Sequence, residues 1–105
     1  MYSILLYTKH MERRYEVVLS KSAQKQIKRL PEHIRKSLRT WVEIIEDMGM
    51  PVMRRIPGYH DEPLKGDRRG QRSSRLNVHY RVIYVETDRG ELVIVSILEV
   101  NKHVY

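Results

Sequence analysis

Tyr80 to Val100 reads YRVIYVETDRGELVIVSILEV, and this stretch decides the fold class. Tyr80–Glu86 combines aromatic and β-branched residues and predicts a strand. Thr87-Asp88-Arg89-Gly90 carries the turn residues that join two strands as a hairpin. Leu92–Val100 is almost wholly aliphatic and predicts a central strand buried on both faces. Immediately upstream, Arg72–Leu76 predicts a third strand. The preceding stretch, Pro51 to Gly70, is rich in Pro, Gly and charge and is expected to be mostly loop.

The N-terminal half has a different period. Glu16-Val17-Val18-Leu19 predicts a short strand, and Ser20 and Ser22 both suit the N-cap of a following helix. Ala23, Ile27 and Leu30 recur at helical spacing, and Pro31 ends that helix and suits the first position of the next. Ile34, Leu38, Trp41, Val42, Ile45 and Met48 form one apolar stripe of period 3.6, stopped by Gly49 and Pro51. Trp41 sits mid-stripe and belongs to the core. The two helices share almost no loop, which predicts a helical hairpin. Strand, helix, helix and three strands in that order make an α+β fold.

The chain has 105 residues, enough for one domain. A hydrophobic fraction of 41% can build one modest core. No run approaches the ~18 apolar residues of a membrane-spanning helix. The complete lack of cysteine excludes disulfides, thiolate metal sites and cysteine nucleophiles, and fits a cytoplasmic protein. Residues 1–10, MYSILLYTKH, hold an apolar stretch too short for a signal peptide. Residues 1–11 are either an N-terminal extension or an extra strand, ahead of one domain over residues 12–105.

With 20 Lys+Arg against 13 Asp+Glu, the formal charge is +7, and the sequence pI is near 9.9. Both point to an anionic partner, nucleic acid or an acidic protein. The charge is not spread evenly. Residues 12–39 hold nine basic and three acidic residues, residues 54–81 hold eight and three, and residues 40–53 hold three acids and no base.

The second basic block leads into DEPLKGDRRGQRSSRL, then NVHYRVIYVE, and the chain ends NKHVY. Glu62 and Lys65 stand beside a Gly-flanked loop carrying Arg68, Arg69 and Arg72. Arg75 and Arg81 lie on adjacent strands whose shared face could collect them, and the last strand delivers His103 and Tyr105 toward the end of the same sheet. A carboxylate, guanidiniums, an imidazole and a phenol within reach of one another suit phosphodiester chemistry. Cleavage of RNA needs a base for the 2′-hydroxyl, cations for the phosphoryl oxygens and an acid for the 5′-oxygen. Arginine forks match phosphate geometry, and histidine titrates nearest neutrality. Arg81 is out of place in so apolar a strand and needs a partner. His10, His33, His60 and His79 are isolated and read as surface or structural residues. His60-Asp61 lacks a third ligand at metal-binding spacing, so no metal or cofactor is expected.

EVVLSKSAQKQIKRLP, EPLKG, YRVIY and the terminal KHVY, in that order and spacing, resemble the RelE/ParE superfamily of toxins from type II toxin–antitoxin systems, over Glu16 to Tyr105. Within it, EPLKG followed by YRVIY and a His/Tyr ending resembles the ribosome-dependent mRNA endonucleases of the RelE and YoeB type. The resemblance implies a small antiparallel sheet with the two helices packed on it. It also implies metal-independent cleavage of mRNA on the ribosome to a 2′,3′-cyclic phosphate, and a cognate antitoxin that wraps the toxin with an acidic segment. Carried over by position, Glu62 is the general base, Arg81 stabilises the phosphate, His103 is the general acid and Tyr105 orients or stacks on the substrate. The resemblance likewise implies that Lys65, Arg68, Arg69, Arg72 and Arg75 bind mRNA and ribosomal RNA, with Lys65 and Arg75 at the scissile phosphate. Val104 separates His103 from Tyr105, which on a strand leaves both on one face.

RelE-type sites lean on lysine and arginine, so an alternative assignment has Lys65 as base, an arginine as acid and Glu62 as structural. Two other functions share these features. A ParE-like toxin acts by binding DNA gyrase and needs no nuclease residues, and a basic RNA-binding module needs no catalysis at all.

Overall fold

The computed structural model describes residues 13–102. The expectations for residues 1–11 and for His103 and Tyr105 lie outside the described residues. The elements are β1 (Arg14–Leu19), α1 (Lys21–Lys28), α2 (Glu32–Met48), α3 (Met50–Arg55), β2 (Glu62–Pro63), β3 (Arg72–Arg75), β4 (Tyr80–Arg89) and β5 (Leu92–Lys102). Short 3-10 turns at Pro57–Tyr59 and Gly66–Arg68 flank β2.

Of the two candidate caps, Ser20 starts α1. Its Oγ accepts from the Ala23 N–H at 3.0 Å and donates to the Leu98 carbonyl at 2.9 Å, so one hydroxyl caps the helix and ties it to β5. Pro31 sits at the N-cap of α2, one residue before the first helical position. Ile34, Leu38, Trp41 and Ile45 are buried as the stripe predicts, whereas Met48 is 62% exposed. Gly49 takes φ 93°, and its N–H still closes on the Ile45 carbonyl at 2.9 Å. The chain then restarts as α3 with Pro51 in its first turn, where the missing N–H costs nothing. The loop expected from Pro51 onward therefore begins only after Arg55, and Met50 and Met53 join the core.

The sheet order is β1-β5-β4-β3-β2. Strands β2 to β5 are antiparallel as expected, and β1 joins the edge parallel to β5, from Arg14 opposite Leu92 to Leu19 opposite Ile97. The sheet is thus mixed, with five strands. The helices cover one face, where Val82, Tyr84, Val93, Val95, Ile97 and Val100 meet the stripe of α2. Trp41 and Tyr84 stack at a tilt with ring centroids 5.3 Å apart. Strand β5 is fully buried only on this face; Leu92, Ile94, Ser96 and Leu98 are half-buried.

One irregularity sets up the opposite face. Ile83 pairs with Glu99 but Tyr84 pairs with Ile97, leaving Leu98 as the extra residue of a bulge. The alternation along β5 changes phase there. Val100 rather than Glu99 follows Ile97 into the core, and Glu99 and Asn101 turn to the face away from the helices.

Candidate active site

The helix-free face gathers the candidate residues. Antiparallel pairing places Glu62 opposite Ser73 and Ser73 opposite Ile83, and in the next row Arg75 opposite Arg81 and Arg81 opposite Asn101. Above this end of the sheet lies a cleft of about 200 Å³. His60 and Glu62 line it from the segment around β2, Arg75 and Arg81 from the paired strands, and Asn77, Val78 and Tyr80 from the β3–β4 turn.

Local structure explains how these groups converge. The Asn77 Oδ1 accepts from the His79 and Tyr80 N–H groups, both at 2.8 Å, and closes the turn that brings Arg81 back beside Arg75. His60 leaves the 3-10 turn in the left-handed region, at φ 43°, which histidine adopts more readily than most residues. Its Nε2 lies 3.5 Å from the Glu62 Oε2, with both side chains more than half exposed.

Between them, Asp61 turns its side chain the other way, and that side chain is completely buried. Its Oδ1 accepts from Nε of Arg72 at 2.7 Å, and Nη2 of the same guanidinium lies 2.7 Å from that oxygen in an ion-pair contact. Its Oδ2 accepts from the hydroxyls of Ser74 at 2.5 Å and Tyr84 at 2.7 Å. Arg54 lies 3.7 Å from the same carboxylate and ion-pairs with Glu86. Burial, and then the hydrogen bond to Asp61, push the Tyr84 phenol well above its ordinary value. Burial alone would disfavour the Arg72 cation, but Asp61 outweighs it and holds the guanidinium above its ordinary value. This polar knot fastens the segment before β2 to the sheet.

The structure thus brings Glu62, Arg75 and Arg81 together, and adds His60, which sequence reading set aside as isolated. Its closeness to Glu62 rests on the left-handed backbone at His60, which the sequence pattern does not signal. Arg72 departs from the expected RNA-binding set, because on β3 it pairs opposite Tyr84, on the helix side, and is occupied by Asp61. Lys65 and Arg69 are exposed on the loop after β2. Arg68 in that loop ion-pairs with Glu99 at 2.6 Å and donates to the Gln71 Oε1 at 3.1 Å.

Among the described residues, two buried side-chain nitrogens lack a partner, Trp41 Nε1 in the core and Arg81 Nε at the cleft. A guanidinium nitrogen out of water with no acceptor invites an anion. Arg75 and Arg81 directly opposite one another are a like-charge pair that a bound phosphate would relieve.

The family model for the ParE toxin of type II toxin–antitoxin systems matches residues 17–103. The chain belongs to this toxin family. A comparison with curated proteins finds no match. Solved toxins share the fold of this ParE-family chain. The YoeB/ParE toxin from Agrobacterium tumefaciens superposes with a TM-score of 0.65 at 19% identity, covering 85% of this chain and 99% of that one. YafQ from E. coli gives 0.69 at 16% identity, over 86% and 94%. The archaeal RelE–RelB complex from Pyrococcus horikoshii gives 0.64 at 25% identity, over 84% and 93%. These likenesses agree with the α+β architecture, and the family match makes the chain a toxin of a type II toxin–antitoxin system. No helix among the described residues is long and apolar enough to cross a membrane.

Proposed function

We propose that this ParE-family toxin is an endoribonuclease that cuts mRNA on the ribosome by 2′-hydroxyl attack, giving a 2′,3′-cyclic phosphate. The observation that carries the reading is the buried Arg81 Nε, without a partner among the described residues, on a strand where Arg81 stands opposite Arg75 in a cleft that also holds His60 and Glu62. Arg75 and Arg81 bind the scissile phosphate and stabilise charge on its oxygens as phosphorus becomes five-coordinate. The His60–Glu62 end removes the 2′-proton, and His103, assigned by resemblance, protonates the leaving 5′-oxygen with Tyr105 orienting the substrate. The two guanidiniums supply the cationic charge, so the reaction needs no metal. Lys65, Arg68 and Arg69 contact flanking phosphates. Arg72 is left out of this set, since Asp61 already engages it.

The toxin works in the cytoplasm, where its mRNA and ribosomes are, and is held by an antitoxin with an acidic segment. The net charge of +7 favours such a partner through steering and complementarity. The match to the ParE model supports a second reading, in which the same fold poisons DNA gyrase and uses no acid–base set.

Expression of the wild type and of Arg81→Ala, with cellular mRNA 5′ ends mapped against reading frame, separates the two. Cuts phased to codons that vanish in Arg81→Ala support the nuclease. Intact mRNA with altered DNA supercoiling supports the gyrase poison and removes the nuclease.

A further inference from the structure

On the nuclease reading, on which this inference rests, Glu62 alone would be the expected base. The geometry points to a different division of labour: we infer that His60 is the general base and Glu62 the carboxylate that orients it. In-line displacement at phosphorus sets the attacking and leaving oxygens on opposite sides. A base and an acid serving them are therefore separated by two hydrogen bonds of about 2.7–3 Å plus the width of the phosphorane. His60 Nε2 and Glu62 Oε2, 3.5 Å apart, are too close to straddle it. They act on one side together.

A carboxylate accepting from one imidazole nitrogen fixes the tautomer and leaves the other nitrogen as a lone-pair acceptor. At 3.5 Å the two groups are in ion-pair contact, and as bound substrate closes this to a hydrogen bond from Nε2–H to Glu62, Nδ1 becomes the basic atom. This is the arrangement of nucleophile, base and orienting carboxylate that activates hydroxyls elsewhere. It is held from behind. Asp61, between the two residues, is locked to Arg72, Ser74 and Tyr84, and the left-handed turn at His60 lets its side chain return over Glu62. Backbone held in this region by its surroundings is a recurrent mark of functional sites.

The step balances. Nδ1 of His60 takes the 2′-hydroxyl proton as the O2′–P bond forms, and the resulting imidazolium is stabilised by Glu62. The P–O5′ bond breaks, and O5′ takes a proton from the acid on the far side or from solvent. His60 then loses its proton to solvent and is a base again, and the acid that protonated O5′ takes a proton from solvent.

The test uses mRNA cleavage by the full chain on programmed ribosomes. Glycine accepts φ 43° at no steric cost, so His60→Gly removes the imidazole, keeps the turn and leaves a gap open to solvent. Cleavage is expected to slow by roughly 10²-fold or more, with about 10-fold recovered when imidazole is added. Affinity for 2′-O-methyl mRNA, which lacks the reacting proton, should stay within about 2-fold of wild type, since the loss is in chemistry rather than binding. Glu62→Gln should slow cleavage less than His60→Gly, and the double variant should be no slower than His60→Gly alone, because the two act as a unit. Should His60→Gly fold poorly, His60→Asn keeps a residue tolerant of the left-handed region and is expected to show the same loss. A His60→Gly toxin that cuts at the wild-type rate, or one whose slow cleavage imidazole leaves unchanged, overturns the assignment and returns the base to Glu62. A wild-type chain that leaves mRNA uncut removes the nuclease reading itself, a different result from the first two.

Discussion

Asp61 and Glu62 are consecutive, yet they face opposite sides of the sheet. The Asp61 carboxylate is buried beneath Arg72, Ser74 and Tyr84, and Glu62 is half exposed beside His60 at the cleft. Extended backbone alternates its side chains, so fixing one residue fixes where its neighbour points. The core-side knot thereby positions the cleft-side pair.

Replacing Asp61 with Ala should be costly. It leaves Arg72 without its acceptor and orphans the hydroxyls of Ser74 and Tyr84. Removing one partner from a buried charge network costs about 3–5 kcal/mol, and the lower end applies because Arg72 and Arg54 keep some contact with solvent. Denaturant unfolding should show a lower midpoint at unchanged slope. A loss below about 1 kcal/mol would mean that water replaces the carboxylate without penalty.

Tyr84 gives the fold a sensitivity to alkali. Its phenol is raised by burial and by Asp61, so the folded state favours the protonated form more than the unfolded state does. That contribution is fully present below the unfolded tyrosine value of about 10 and is lost as pH rises through the higher folded value. Tyr84→Phe should cost about 1 kcal/mol at neutral pH through the lost hydrogen bond. Its stability should then fall less steeply above about pH 10 than that of the wild type. Parallel alkaline limbs in the two proteins would locate the sensitivity elsewhere.

Most elements are legible from periodicity because their signals are local. The Ser20 cap, the stripe of α2 and the long hairpin strands each follow from a few neighbouring residues. Most of what failed depended on partners distant in the chain, the restart at Pro51 being the local exception. Pro51 reads as a breaker, but after a glycine turn it opens a new helix. The parallel place of β1 is set by β5, more than seventy residues on. At the site, Arg72 and Arg75 are three apart on one strand, so alternation alone puts them on opposite faces, and sequence reading grouped them regardless. The engagement of Arg72 by Asp61 could not have been read, because that contact runs between a loop and a strand. His60 looked isolated for the complementary reason, since its relation to Glu62 depends on a left-handed turn that no pattern announces.

Gly49 should tolerate no side chain. At φ 93° an L residue is strained, and a Cβ would lie 3.1 Å from Cε2 of Tyr15, which packs against the core. Gly49→Ala is expected to destabilise by more than about 1 kcal/mol. Thermal melting checks it, and an unchanged midpoint would show that the α2–α3 junction can adopt another turn.

Arg81 and Arg75 provide the sharpest division between stability and function. Arg81 Nε has no partner among the described residues, and Arg75 lies opposite with the same charge. Removing one of two facing cations relieves repulsion, so Arg81→Ala should change the melting temperature little. Cleavage should nonetheless fall by on the order of 10²-fold, because charge developing on the phosphoryl oxygens loses a preorganised donor. Arg75→Ala should weaken RNA binding and reduce the salt dependence of affinity by about one phosphate contact. Arg81→Lys should recover only part of the activity, since a point charge does not replace a forked donor. The checks are calorimetry, cleavage on ribosomes and RNA affinity at several salt concentrations. A large drop in melting temperature for Arg81→Ala, with cleavage falling only in proportion to the folded fraction, would make Arg81 a structural residue and leave the cleft without its phosphate anchor.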